Sequence, residues 1–119
     1  MKHTVIVMAL LLGAAAAAAV AMTPIQERQT FLQAMDGRSL KIWLYGLSLD
    51  VNDDGTITGR AAGRDVTGTW TWQGGYFCRE MAWGSMPIDY NCQLVEIDGD
   101  TMRFTTDRGA GDYADFRLR

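Results

Sequence analysis

Beyond Gly37 the chain alternates apolar and polar residues with a period of two, in short runs punctuated by glycine and aspartate. That period is the signature of a β-strand with one buried face. Leu40, Ile42 and Leu44 alternate with Lys41, Trp43 and Tyr45; after Gly46, Leu47, Leu49 and Val51 alternate with Ser48, Asp50 and Asn52. Asp54-Gly55 signals a hairpin turn into residues 56–60. Gly68, Trp70 and Trp72 then alternate with Thr67, Thr69, Thr71 and Gln73, Gly74-Gly75 turns the chain, and Tyr76-Phe77-Cys78 begins the return. Residues 94–97, 101–105 and 113–118 read as further strands, with turns at Asp98-Gly99-Asp100 and Arg108-Gly109-Ala110-Gly111. Seven or eight short strands with turn signals about every 8–12 residues predict a mainly all-β fold, a small antiparallel barrel or meander.

Two segments at the amino terminus depart from this pattern. Lys2 followed by an alanine-rich apolar run over residues 4–20 and the small-x-small site Ala19-Val20-Ala21 has the three parts of a secretory signal peptide. Residues 1–21 are therefore expected to be a leader and residues 22–119 a single barrel-like domain; an uncleaved leader would be its membrane tether. Thr23-Pro24-Ile25-Gln26 matches a helix start, with Thr23 as N-cap, Pro24 in the first turn and Gln26 completing a capping box. Ile25, Leu32 and Met35 would share one face beside Phe31, and Asp36-Gly37 would end the helix. It is expected to lie over one end or an open face of the sheet.

Composition narrows the chemistry. Losing the leader leaves ten basic against 14 acidic residues, a formal charge of −4, with no basic cluster to hold nucleic acid. His3, the only histidine, leaves with it, so imidazole is absent as a base or metal ligand. Ser39, Ser48 and Ser85 have no histidine to activate them, and Lys41 is the only lysine left. A catalytic role is not expected, and no cofactor motif stands in the chain. Cys78 and Cys92 are the only cysteines, and an exported chain would join them in a disulfide closing a 15-residue loop.

The remaining candidate sites each have a structural alternative. Asp50, Asn52 and Asp54 with Gly55 resemble the start of an EF-hand calcium loop, but Ala61 stands where a bidentate glutamate belongs; a β-turn accounts for the same residues. Trp70, Trp72, Tyr76 and Trp83, with Trp43 near them, would line an apolar or sugar-stacking site, or simply fill a small barrel. Arg60 and Arg64 would clamp an anion, or pair locally with Asp65.

Taken together, Gly37-Arg38, the DGTITG of residues 54–59, the GTWTW of 68–72, the GYFCR of 75–79, the YNCQ of 90–93 and the DGD of 98–100 resemble a family of small exported alphaproteobacterial proteins. The resemblance spans nearly the whole mature chain. Members of that family often carry the label dihydrodipicolinate reductase, which would imply nicotinamide nucleotide binding. Such reductases hold the nucleotide on a G-x-G-x-x-G turn between strand and helix, whereas the glycines here fall at Gly55, Gly59 and Gly63.

The reading that follows is a periplasmic or secreted, non-catalytic binding module for a small ligand or an envelope component. The alternative is an inhibitor or accessory subunit of the cell envelope that engages a protein partner. The reductase named by the resemblance is a distant third.

Overall fold

A computed structural model describes residues 21–119, so the leader expected over residues 1–21 lies outside the described residues except for Ala21. The described residues form nine strands: β1 (Thr23–Ile25), β2 (Leu40–Ile42), β3 (Leu47–Val51), β4 (Thr56–Ala61), β5 (Arg64–Gln73), β6 (Tyr76–Trp83), β7 (Met86–Asp98), β8 (Thr101–Thr105) and β9 (Tyr113–Leu118). Among the described residues one α-helix, α1 (Arg28–Met35), lies between β1 and β2. Consecutive strands from β2 to β9 pair antiparallel, and β9 returns to β2 through Leu40↔Leu118, so eight strands close into a barrel. β1 is the ninth, paired outside this ring with the far half of β7. Every strand pair is antiparallel. A nucleotide-binding βαβ unit of the kind implied by the reductase label requires parallel strands, and the described residues do not form one.

The alternating apolar positions face inward. Leu40, Leu49, Ile57, Val66, Trp70, Phe77, Val95, Met102, Phe104 and Leu118 are all buried in one core. Tight turns join the strands. Gly74 and Gly75 both take positive φ, 57° and 89°, which only glycine adopts freely in a two-residue hairpin loop. Inside the wall, Gly59 lies between Leu49 and Val66 of the adjoining strands, and a Cβ there would stand 2.1 Å from the Ser48 carbonyl oxygen. The strands approach closely where side chains are smallest.

Three sequence expectations are corrected. Thr23 does not cap a helix: residues 23–25 form β1, in register Thr23↔Ile97 and Ile25↔Val95, and the helix begins at Arg28. Pairing with the long β7 buries Ile25, and Pro24, lacking an N–H, is tolerated because β1 is an edge strand. Nor does strand geometry continue through Leu44: residues 43–45 make a 3-10 turn ended by Gly46 in the left-handed region, because β2 must reverse into β3. Trp43, Leu44 and Tyr45 are consequently exposed. Third, β7 is thirteen residues long, not the short strand of residues 94–97. Its first half pairs with β6 and its second half with β8.

The helix ends as expected, with Gly37 at positive φ after Asp36. It covers one end of the barrel, where Phe31, fully buried, has its ring within 5.1–6.4 Å of those of Trp70, Trp72, Phe77 and Phe104. At the opposite end lie the 43–46 turn, the Ala62-Gly63 turn, Gly84-Ser85 and the loop 106–112.

Candidate ligand cavity

Strand β6 carries Phe77, Arg79 and Met81 on its inward face, two residues apart. Phe77 and Met81 are ordinary lining for a small barrel. Arg79 between them is not: it is 9% exposed and sits opposite Trp70 on β5 and Asn91 on β7. The β6–β7 register slips between Arg79 and Met81, so β7 holds an extra residue there. A bulge of this kind leaves a backbone group without its ladder partner, and Arg79 Nη1 donates a 2.6 Å hydrogen bond to the Asp89 carbonyl.

Around this arginine is a cavity of about 300 Å³. Its wall is mostly apolar, with Leu49, Ile57, Met81, Phe104 and Phe116 contributed by five different strands. The buried Gln93 amide and Thr106 add polar groups, and Asp112 and Ala114, both exposed, stand where β9 and its preceding loop reach the open end. Thr106 donates from its backbone N–H and its hydroxyl to the Asp112 carbonyl and so fixes this loop. At the far end the cavity is stopped by Phe77 and the aromatic side chains packed on Phe31.

Burial pushes the Arg79 guanidinium below its ordinary value; it remains a cation, since arginine is not deprotonated in proteins. The ion pairs of the described residues are Arg38–Asp100, Arg60–Asp65 and Arg103–Asp115, none of which involves it. No fully enclosed side-chain nitrogen or oxygen among the described residues lacks a hydrogen bond. The Arg79 nitrogens that Asp89 does not engage are therefore not fully enclosed, and the residue lies in the cavity lining. The result is a concave, mostly apolar chamber with one fixed positive charge, of a size at the lower end of small-ligand pockets.

The tryptophans lie elsewhere. Trp70 is buried in the aromatic plug, stacked on Phe77 with its Nε1–H donating to the Asn52 carbonyl. Trp72 donates to the Gln26 carbonyl beside Phe31. Trp83 donates to the Ala61 carbonyl toward the other end, with the Arg64 guanidinium over its ring. Tyr76 is half-buried beneath Arg108. Of the expected quartet none lines the cavity, and Trp43, 92% exposed, is not with them.

The other candidates resolve locally. Asn52 through Gly55 form the β3–β4 turn, closed by Asn52 N–H to the Thr56 carbonyl. Asp54 accepts from the Thr56 amide and hydroxyl, which lowers its carboxyl below the ordinary value, while Asp50 accepts from Ser39 and Asn52 donates to Thr56. Asn52 and Asp54 thus share Thr56 while Asp50 is engaged by Ser39, and no group of three or more His, Cys, Asp or Glu suited to a metal gathers among the described residues. Arg60 pairs with Asp65. Cys78 and Cys92 face each other across β6 and β7 and are joined in a disulfide.

Sequence reasoning missed Arg79, Gln93 and Phe116 as a group because they come from strands far apart in the chain. One signal was present. In Phe77-x-Arg79-x-Met81 an arginine occupies a position that the alternation assigns to the core. No protein-family model, curated protein or solved structure matches the chain.

Proposed function

We propose that this protein is an exported binding module that holds a small, largely apolar molecule inside its barrel. The observation that carries the reading is the 300 Å³ chamber, closed at one end by helix α1 and the aromatic plug and reached from the other. Small barrels ordinarily fill their interior with side chains; here a space remains, lined by Arg79, Gln93 and Ala114 among the apolar side chains. Export agrees with the leader-like amino terminus and with the disulfide.

A second reading has its own observation. Trp43, Leu44 and Tyr45 project from one turn with exposures of 92%, 74% and 61%, a tip suited to a protein partner in the cell envelope. The two readings separate by experiment. Native mass spectrometry of protein recovered from an exporting host should show an organic mass excess, and the neutral dye phenylnaphthylamine should brighten on binding with one-to-one stoichiometry. A bare mass together with no dye binding removes the cavity reading and leaves the exposed tip.

A further inference from the structure

We propose, resting on the cavity reading, that the ligand is an apolar monocarboxylate whose carboxylate is received by Arg79. Four observations converge on this chemistry. Arg79 is buried as a residue, lies within the cavity wall, and has no carboxylate within 4 Å among the described residues. A buried cation without a counter-charge costs stability, and a hydrophobic residue of similar size serves packing better. The hydrogen bond to Asp89 accounts for one nitrogen; the remaining donors of this lining residue have no protein partner among the described residues and match a carboxylate, the planar acceptor that arginine engages best.

The charge count selects a monoanion. Arg79 is the only cation on the lining, and Asp112, exposed at the mouth, is the only acid there. One guanidinium balances one negative charge; a phosphate dianion would enter past Asp112 with a charge left over. The buried Gln93 amide, near the same wall, offers a neutral donor to such a head group. The remainder of the lining, Ile57, Met81, Phe104 and Phe116 among it, has nothing to offer a polar body and suits a hydrocarbon one.

The test is competition against bound phenylnaphthylamine by decanoate, decanol and methyl decanoate, with wild type and Arg79→Met. Wild type is expected to bind decanoate at least about tenfold tighter than either neutral analogue, the scale of a charge-assisted hydrogen bond in a dry site. Arg79→Met is expected to erase that preference, leaving decanol affinity within about twofold of wild type, while its melting temperature stays level or rises because an unpaired buried charge is gone. Equal binding of acid and alcohol by wild type, or a preference that survives Arg79→Met, overturns the proposal while the cavity reading stands. Dye binding that none of the three compounds displaces also overturns it. Absence of dye binding together with a bare native mass removes both, and absence of dye binding with a co-purifying molecule that is not a carboxylic acid overturns the proposal alone. Should Arg79→Met fail to fold by circular dichroism, the comparison of decanoate with its methyl ester on wild type decides alone.

Discussion

Charge placement in this molecule divides by depth. Arg103 and Asp115 face each other on β8 and β9 and meet through two hydrogen bonds, 2.8 and 3.0 Å, on the outer wall, and Arg103 also lies over the Tyr113 ring. The hydrogen bond from Arg103 holds the Asp115 carboxyl below the ordinary aspartate value. A depressed value means that Asp115 stabilises the fold above the unfolded-state value of about 4, and that this contribution fades as pH falls through the lower folded value. Asp115 is 39% exposed, so the contribution is within about 1 kcal/mol and screened by salt. Urea midpoints of Asp115→Asn should therefore lie below wild type at neutral pH and approach it below about pH 4. A gap that stays constant with pH would assign the effect to packing. Arg79 is the opposite case, a cation bought into the interior without an acid beside it, and its burial is what gives the cavity a chemical preference. Its position was legible in the alternation of β6, yet its solitude was not, since the absence of a partner depends on every strand that faces it.

Elements hold their register by different means. β6 and β7 slip by one residue beyond Arg79, and the disulfide between Cys78 and Cys92 lies immediately next to that slip, pinning directly opposed residues. Its loop length gives about 3 kcal/mol in the chain-entropy model. Cys78→Ser/Cys92→Ser should lower stability by roughly this amount, and the loss should be felt most where the bulge already interrupts the ladder. It should also raise amide exchange in residues 86–92 more than in β8 and β9. Uniform acceleration across the barrel would show that the bridge acts on the unfolded chain alone. The cysteine pair and the start of β6 followed from sequence, whereas the β6–β7 hairpin did not, because only residues 94–97 of β7 read as a strand. The identity of β1 did not, because Thr-Pro-Ile-Gln satisfies the rules for a helix start as well as those for an edge strand. The decision was made by β7, which offers residues 95–97 as partners.

At the scale of the whole molecule the barrel has two unlike ends. The helix end is packed by Phe31 and the rings around it, and the other is bordered by the loop 106–112 and Ala114. Ala114 is exposed and small, on the cavity side of β9, so a larger side chain can be accommodated there without entering the core. Ala114→Trp should leave the melting temperature within about 2 °C, as surface substitutions do, and lower the phenylnaphthylamine association rate at least about tenfold, within the range over which access changes alter on-rates. An unchanged rate would place the entrance elsewhere.

The sequence by itself determined the all-β class, the turns at Gly55, Gly75 and Gly99, the closing strand from Tyr113 to Leu118 and the cysteine pairing, all consequences of local periodicity and turn chemistry. It also placed Trp70 and Trp72 on one strand face. Tertiary structure decided which end those rings would plug, that residues 23–25 would be a strand, that residues 43–45 would project into solvent, and that an arginine would stand unpaired in a chamber. The reason is physical. Alternation tells a residue which side of a strand it occupies, whereas a cavity is the volume left when eight strands close and their inward side chains fail to meet. That volume is a property of the closed ring, and no single stretch of the chain contains it.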